Sequence, residues 1–278
     1  MKQDMIFITS PEAMIEESWG ITSCLKEKLN PMDGIKKLLS VLVCCTLFTS
    51  TSNAITMKTE AYPTGVGDLK VTLLGHASLK FEYAGKVIYV DPYSQVADFS
   101  HLPKADLIVL THEHADHLDI AAIDQIKTAK TKFIVSKSCF DQLKYGEVIR
   151  NGEKTQAFGF SIEAVPAYNL LHKRPDGQFF HPEGRGNGYV FKFGKLKVYV
   201  AGDTENIPEM SKLGLVDIAF LPKNLPYTMD DAMFLDAAKK VKPKHLYPYH
   251  FFEFNEDKLL PELKALGIDV IVRPMQSK

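Results

Sequence analysis

Cysteine is scarce in this chain: there are four in 278 residues, and Cys24, Cys44 and Cys45 all stand in the first 45. That scarcity excludes a disulfide-stapled scaffold, the usual resort of exported domains too small to build a core. Charge of one sign is missing too, since 33 Lys and Arg stand against 34 Asp and Glu for a formal net charge of −1. A nucleic-acid groove or a polybasic membrane patch does not fit that balance. Long hydrophobic runs are absent as well. The apolar run at 38–48 has eleven residues, too short to cross a bilayer as a helix. No tandem repeat is evident. What remains is an ordinary globular composition, 45% hydrophobic, in a length suited to one large domain or two small ones.

The eleven-residue run has an address-like context. Lys36 and Lys37 precede it, and Ser52-Asn53-Ala54 follows a polar stretch after it. A basic start, a short apolar middle and small residues before a cut form the pattern of a secretory signal peptide. We expect cleavage after Ala54 and export, to the periplasm of a bacterium. Met32 is the expected initiator, because some thirty residues otherwise precede the Lys pair. The chain then divides into an extension with signal peptide at 1–54 and a single domain at 55–278. The remaining 278 − 54 = 224 residues keep one cysteine, Cys139, with 28 basic and 28 acidic side chains.

The chemistry concentrates in Thr111-His112-Glu113-His114-Ala115-Asp116-His117. Residues 105–110 before it read as a buried strand, and 117–124 after it have helical spacing. In an extended segment residues two apart face the same way, so His112 and His114 can grip one ion together. Asp116 and His117 fall at the turn and suit a second ion. Imidazole and carboxylate are ligands for zinc, iron and manganese, and two ions about 3.5–4 Å apart can activate one water.

Further strands read at 69–74, 79–83, 86–90, 132–136, 160–165, 188–193, 196–200, 217–222, 245–250 and 270–272. Helices read at 137–145, from a Thr228 cap with Asp231 three residues on to Pro243, and at 256–266. A long Gly- and Pro-rich loop fills 170–188.

His-x-His-x-Asp-His after an apolar strand resembles the signature of the metallo-β-lactamase superfamily. With Gly75-His76-Ala77-Ser78 and Gly202-Asp203-Thr204, the likeness extends from about residue 69 to 274, and is greatest to the branch of N-acyl-phosphatidylethanolamine phospholipase D and the ascorbate-phosphate lactonase. The resemblance implies an α/β fold, an αββα four-layer sandwich with metals at one edge. It implies that His112, His114, Asp116, His117, Asp203 and His250 are metal ligands, with Asp203 bridging. Asp91, at a strand end, is the residue expected to brace the histidine loop by hydrogen bonds, and His76 is a candidate for lining the pocket. One departure stands out: Asn169 occupies the place of a third histidine. Asn169 itself, or a histidine of the following loop, His172 or preferably His181, is expected to complete the first site.

The expected activity is a metal-dependent hydrolase that uses a metal-bound hydroxide to cleave an ester, phosphodiester or lactone in a small-molecule substrate. Asp116 and Asp203 carry the catalytic expectation, with zinc as the metal, one or two ions, and manganese or iron as alternatives. The competing reading is a secreted metal-binding protein whose site, with Asn169 for histidine, is degenerate and non-catalytic. Neither a nucleic-acid partner nor a stable membrane span of the mature chain is expected.

Overall fold

Leu107, Ile108, Val109 and Leu110 are all fully buried, because their strand is covered on both faces. The computed structural model describes residues 57–275, which fall in one compact unit, Thr56–Lys278. The expected signal peptide and cleavage point at 1–54 lie outside the described residues. Seven strands form a first sheet in sequence order: β1 (Thr59–Pro63), β2 (Asp68–Gly75), β3 (Ser78–Tyr83), β4 (Lys86–Val90), β5 (Leu107–Leu110), β6 (Lys132–Val135) and β7 (Glu147–Val148). The second holds β8 (Lys154–Ala157), β9 (Phe160–Ala167), β10 (Gly186–Phe193), β11 (Leu196–Val200), β12 (Ile218–Lys223), β13 (His245–Phe251) and β14 (Asp269–Val270), again in sequence order across the sheet.

The two sheets share one plan. In each, the first four strands pair antiparallel and the last four parallel. Tight turns explain the first half: Ala84 and Gly85, both at positive φ, join β3 to β4, as a two-residue hairpin requires. Parallel neighbours need a crossover instead. Here helices α1 (Ile120–Ile126), α2 (Lys137–Leu143), α3 (Asp231–Val241) and α4 (Glu256–Ala265) supply crossovers for β5–β6, β6–β7, β12–β13 and β13–β14. So the halves repeat in topology although no repeat is visible in the residues.

Side-chain alternation sorts the chain into layers. Leu107 and Val109 of β5 join Val198, Val200, Ile218 and Phe220 in a core between the sheets. Ile108 and Leu110, facing the other way, pack with Ala122, Ile123 and Ile126 of α1. In the second sheet Tyr199, Ala219 and Leu221 turn outward onto Phe234, Ala237 and Ala238 of α3. Helix, sheet, sheet, helix is the expected four-layer sandwich.

Some local expectations are corrected. Helix α1 begins at Ile120, where Asp119 caps it by accepting from the amides of Ala121 and Ala122; His117 lies in the turn before. Asp230, and not Thr228, caps α3, by accepting from Met233 N–H. Strands β1, β7 and β8 were not legible, being short or only half buried. Among the described residues no helix is long and apolar enough to cross a membrane.

Candidate metal centre

The chain leaves β5 at its C-terminal end and turns at once, which drops Thr111 to His117 into the sandwich edge. Asp91 follows β4, Asp203 follows β11, Asn224 follows β12 and His250 sits near the end of β13. Carboxyl ends of neighbouring parallel strands therefore converge on one place, as α/β sheets commonly arrange. Close approach needs small residues there. A Cβ on Gly186 would stand 3.3 Å from His112 Cβ, and one on Gly202 2.8 Å from the Asn187 carbonyl. His76, Asp91 and His250 all take left-handed backbone, at φ 51°, 45° and 47°. For non-glycine residues that costs of order 1–3 kcal/mol each, and such strain gathers at functional sites.

Six of the nine histidines meet here. His112 Nε2 and His114 Nδ1 are 3.1 Å apart, brought together by a bend at 113–114 and not by an extended strand, which ends at Leu110. His181 Nε2 lies 3.2 Å from His114 Nδ1, completing a group of three imidazoles. A second group comprises Asp116, His117, His250 and His76. Asp203 stands between the groups. Its Oδ1 is 3.4 Å from His117 Nε2, while Oδ2 lies 3.2 Å from His181 Nε2 and 3.5 Å from His250 Nε2.

Hydrogen bonds behind three rings decide which nitrogen each presents. The Asp91 carboxylate, which can only accept, takes the Thr111 hydroxyl at 2.6 Å and His117 Nδ1–H at 2.8 Å. The Thr111 oxygen, its proton spent on Asp91, then accepts from His112 Nδ1–H at 3.0 Å. Both rings thereby aim Nε2 into the cluster, and on neutral His112 that nitrogen is left bare. Asp91 thus touches the histidine loop as expected of a bracing residue.

His181 is held by the residue that departs from the signature. Asn169 Oδ1 accepts from both the backbone N–H and Nδ1–H of His181, at 2.7 and 2.8 Å. Its Nδ2 donates to Glu205 Oε1 at 2.9 Å and to the Tyr227 carbonyl at 2.8 Å. The carbonyl oxygen expected as a ligand is therefore occupied, and Asn169 stands outside the cluster. Glu205 is fully buried and also accepts from the amides of Leu170, Leu171 and His172. His172 Nδ1 turns to the same carboxylate at 2.7 Å, away from the site. Glu205 had no sequence signal beyond its place two residues after Asp203.

His76 Nε2–H donates to Asp116 Oδ2, 2.8 Å away, and the ring packs against His250 with centroids 3.9 Å apart. Its carbonyl accepts His250 N–H at 2.8 Å, so the Gly-His turn anchors the end of β13. The remaining histidines lie elsewhere. His245 pairs with Asp269 at the other end of β13, and Cys139 is the buried residue of α2.

The charge balance calls for a cation. Burial, above all, holds His112 well below the ordinary imidazole value and takes His114 down to about 4, so both are neutral lone-pair donors. Burial opposes charge on His117 too, but Asp203, Asp116 and Asp91 outweigh it and push the ring well above the usual range. Without an ion, the buried Asp203 has only the surrounding imidazoles to offset its charge. His117 Nε2, Asp203 Oδ1 and His250 Nε2 are buried without a hydrogen-bond partner among the described residues. Orphaned atoms of this kind need an explanation, and an ion is a standard one. The donor set of imidazoles and carboxylates fits zinc, iron or manganese.

Comparison with known proteins agrees with this geometry. The family profile described as "Beta-lactamase superfamily domain" matches residues 70–250. The chain is 31% identical over 199 residues to the UPF0173 metal-dependent hydrolase of Pyrococcus horikoshii, covering 66% of this chain and 84% of that protein. It superposes on the crystal structure of a candidate metal-dependent hydrolase from Parabacteroides distasonis with a TM-score of 0.75 and 43% identity, covering 79% of this chain and 100% of the other. The metallo-β-lactamase fold protein YhfI of Bacillus subtilis shares the fold, with a TM-score of 0.61 at 17% identity over 75% of this chain and 97% of that one.

Proposed function

The chain belongs to the metallo-β-lactamase superfamily and is a metal-dependent hydrolase, and from that premise we propose that it cleaves an ester, phosphodiester or lactone bond of a small molecule with zinc as its metal. One observation supports this reading most: Asp203 lies between two groups of ligand-type side chains, with His117 Nε2 and His181 Nε2 at 3.4 and 3.2 Å from its two carboxylate oxygens. His112, His114 and His181 would hold one ion and Asp116, His117 and His250 the other, with Asp203 reaching both. Divalent ions so placed lower the pKa of a water toward neutrality and stabilise negative charge developing on the attacked group.

The chain's own residues do the rest. Asp203, with a side chain only 4% exposed, would orient the attacking water through its carboxylate. Asp116, at 35%, is the more exposed of the two carboxylates. His76 Nε2–H steadies its Oδ2, the oxygen that faces His117 and His250, and so orients Asp116 toward the ion that this group would hold. His181 supplies the third imidazole that the Asn169 departure seemed to remove, which favours a working site over a degenerate one. The Gly75-His76 and Gly202-Asp203-Thr204 sequences favour the phosphodiesterase and lactonase branch. The signal-peptide pattern at 36–54 favours an exported, periplasmic enzyme.

The test is a screen of generic phosphodiester, lactone and ester substrates on protein of measured metal content. We expect turnover that a chelator abolishes and zinc restores. Loaded protein that turns over none of the three classes would overturn the proposal.

A further inference from the structure

Arg174 belongs to the loop between β9 and β10, and its guanidinium reaches the centre. Nη2 lies 3.1 Å from His114 Nε2 and donates to the Phe180 carbonyl at 3.3 Å, while the head group lies 5.1 Å from the centroid of the Phe180 ring. Among the described residues no carboxylate pairs with it. A half-buried guanidinium without an anion is poorly compensated.

Its contact with His114 has a built-in conflict. Guanidinium has donors and no acceptor, so His114 Nε2 must accept from it. A neutral imidazole that accepts at Nε2 carries its proton at Nδ1. Yet Nδ1 is the atom that faces His112 and His181 at 3.1 and 3.2 Å. If Nδ1 gives its lone pair to a metal, the proton moves to Nε2 and two N–H groups confront each other. Metal at this group and the Arg174–His114 bond exclude one another.

Resting on the hydrolase reading above, we propose that Arg174 determines substrate specificity: metal loading releases it from His114 to bind an oxyanion, phosphate or carboxylate, carried by the substrate. The planar fork matches either anion in a bidentate way. Phe180, itself packed on Tyr227 with centroids 5.0 Å apart, lines the cleft with His114 and offers the guanidinium its ring.

The test compares the parent with Arg174→Gln and Arg174→Lys, using calorimetric titration of inorganic phosphate and of acetate into zinc-loaded protein. We expect one anion to bind about tenfold more weakly to Arg174→Gln, with Arg174→Lys in between. Loss for phosphate assigns a phosphorylated substrate, and loss for acetate a carboxylated one. Zinc affinity, read by chelator competition, should stay equal or rise in Arg174→Gln, because a competitor for His114 is gone. A merely structural arginine would lower it. Unchanged affinity for both anions, or weakened zinc binding in both variants, overturns the proposal. Absence of turnover in the parent would instead sink the hydrolase reading and leave the binding comparison standing.

Discussion

Asn169 holds His181: its Oδ1 lies 2.8 Å from His181 Nδ1 and 2.7 Å from the same residue's backbone nitrogen. The signature position that lacks a histidine thus steers one arriving from twelve residues downstream. Glu205 fixes the amide from the far side by accepting from Nδ2, so the oxygen has to face His181. The ligand-type imidazole is replaced by a loop histidine and a clamp.

Asn169→Ala should lower metal affinity at the His112–His114–His181 group by about 10–100-fold, the usual loss when a ligand's supporting hydrogen bond goes. Chelator competition measures it. Affinity equal to that of the parent would mean that the loop positions His181 without the clamp.

Asp203→Asn should cut turnover by about 100-fold or more while the fold survives, because an amide brings neither the charge nor the second anionic oxygen. His181→Ala should cut it less and should weaken the hold on one ion without abolishing it, since His112 and His114 remain. Kinetics and metal content of both variants decide this. Near-parental turnover of Asp203→Asn with metal bound would refute the bridging role.

A pH dependence of stability follows from Asp106, at the entrance to β5. Burial raises its pKa, but Lys86 Nζ at 2.9 Å and Val87 N–H at 3.0 Å outweigh that and lower it below the usual 3.8. A depressed carboxyl stabilises the fold above its unfolded value and loses that contribution as pH falls through the folded one. Asp106→Asn should therefore cost less than about 1 kcal/mol near pH 7, as the pair is partly exposed. The cost should vanish at pH values below the folded pKa. Thermal melts of parent and variant across pH test it, and a gap that widens on acidification would contradict it.

Export predicts that protein recovered from its native host begins near Ile55, after the Ser52-Asn53-Ala54 sequence. N-terminal sequencing that finds Met1 or Met32 on soluble protein would sink that expectation.

Local patterns alone determined a good part of this protein. Strand alternation placed most of the sheet residues, because a side chain's face depends only on its parity along the strand. His112 and His114 were legible as a pair from their spacing just past a strand, although a bend at 113–114 is what turns them together. Likeness to a known signature added Asp203 and His250. Only the tertiary structure decided the rest. His181 sits in an irregular loop, where no period fixes direction, and it reaches His114 through contacts 67 residues apart in sequence. Asn169 read as a weak ligand until Glu205, 36 residues on, turned its amide. His76 and Asp116, 40 residues apart, meet because β2 and β5 end at the same edge. Short-range geometry is written residue by residue. Which side chains share a metal site depends on where strands end in space, and packing of the two sheets sets that.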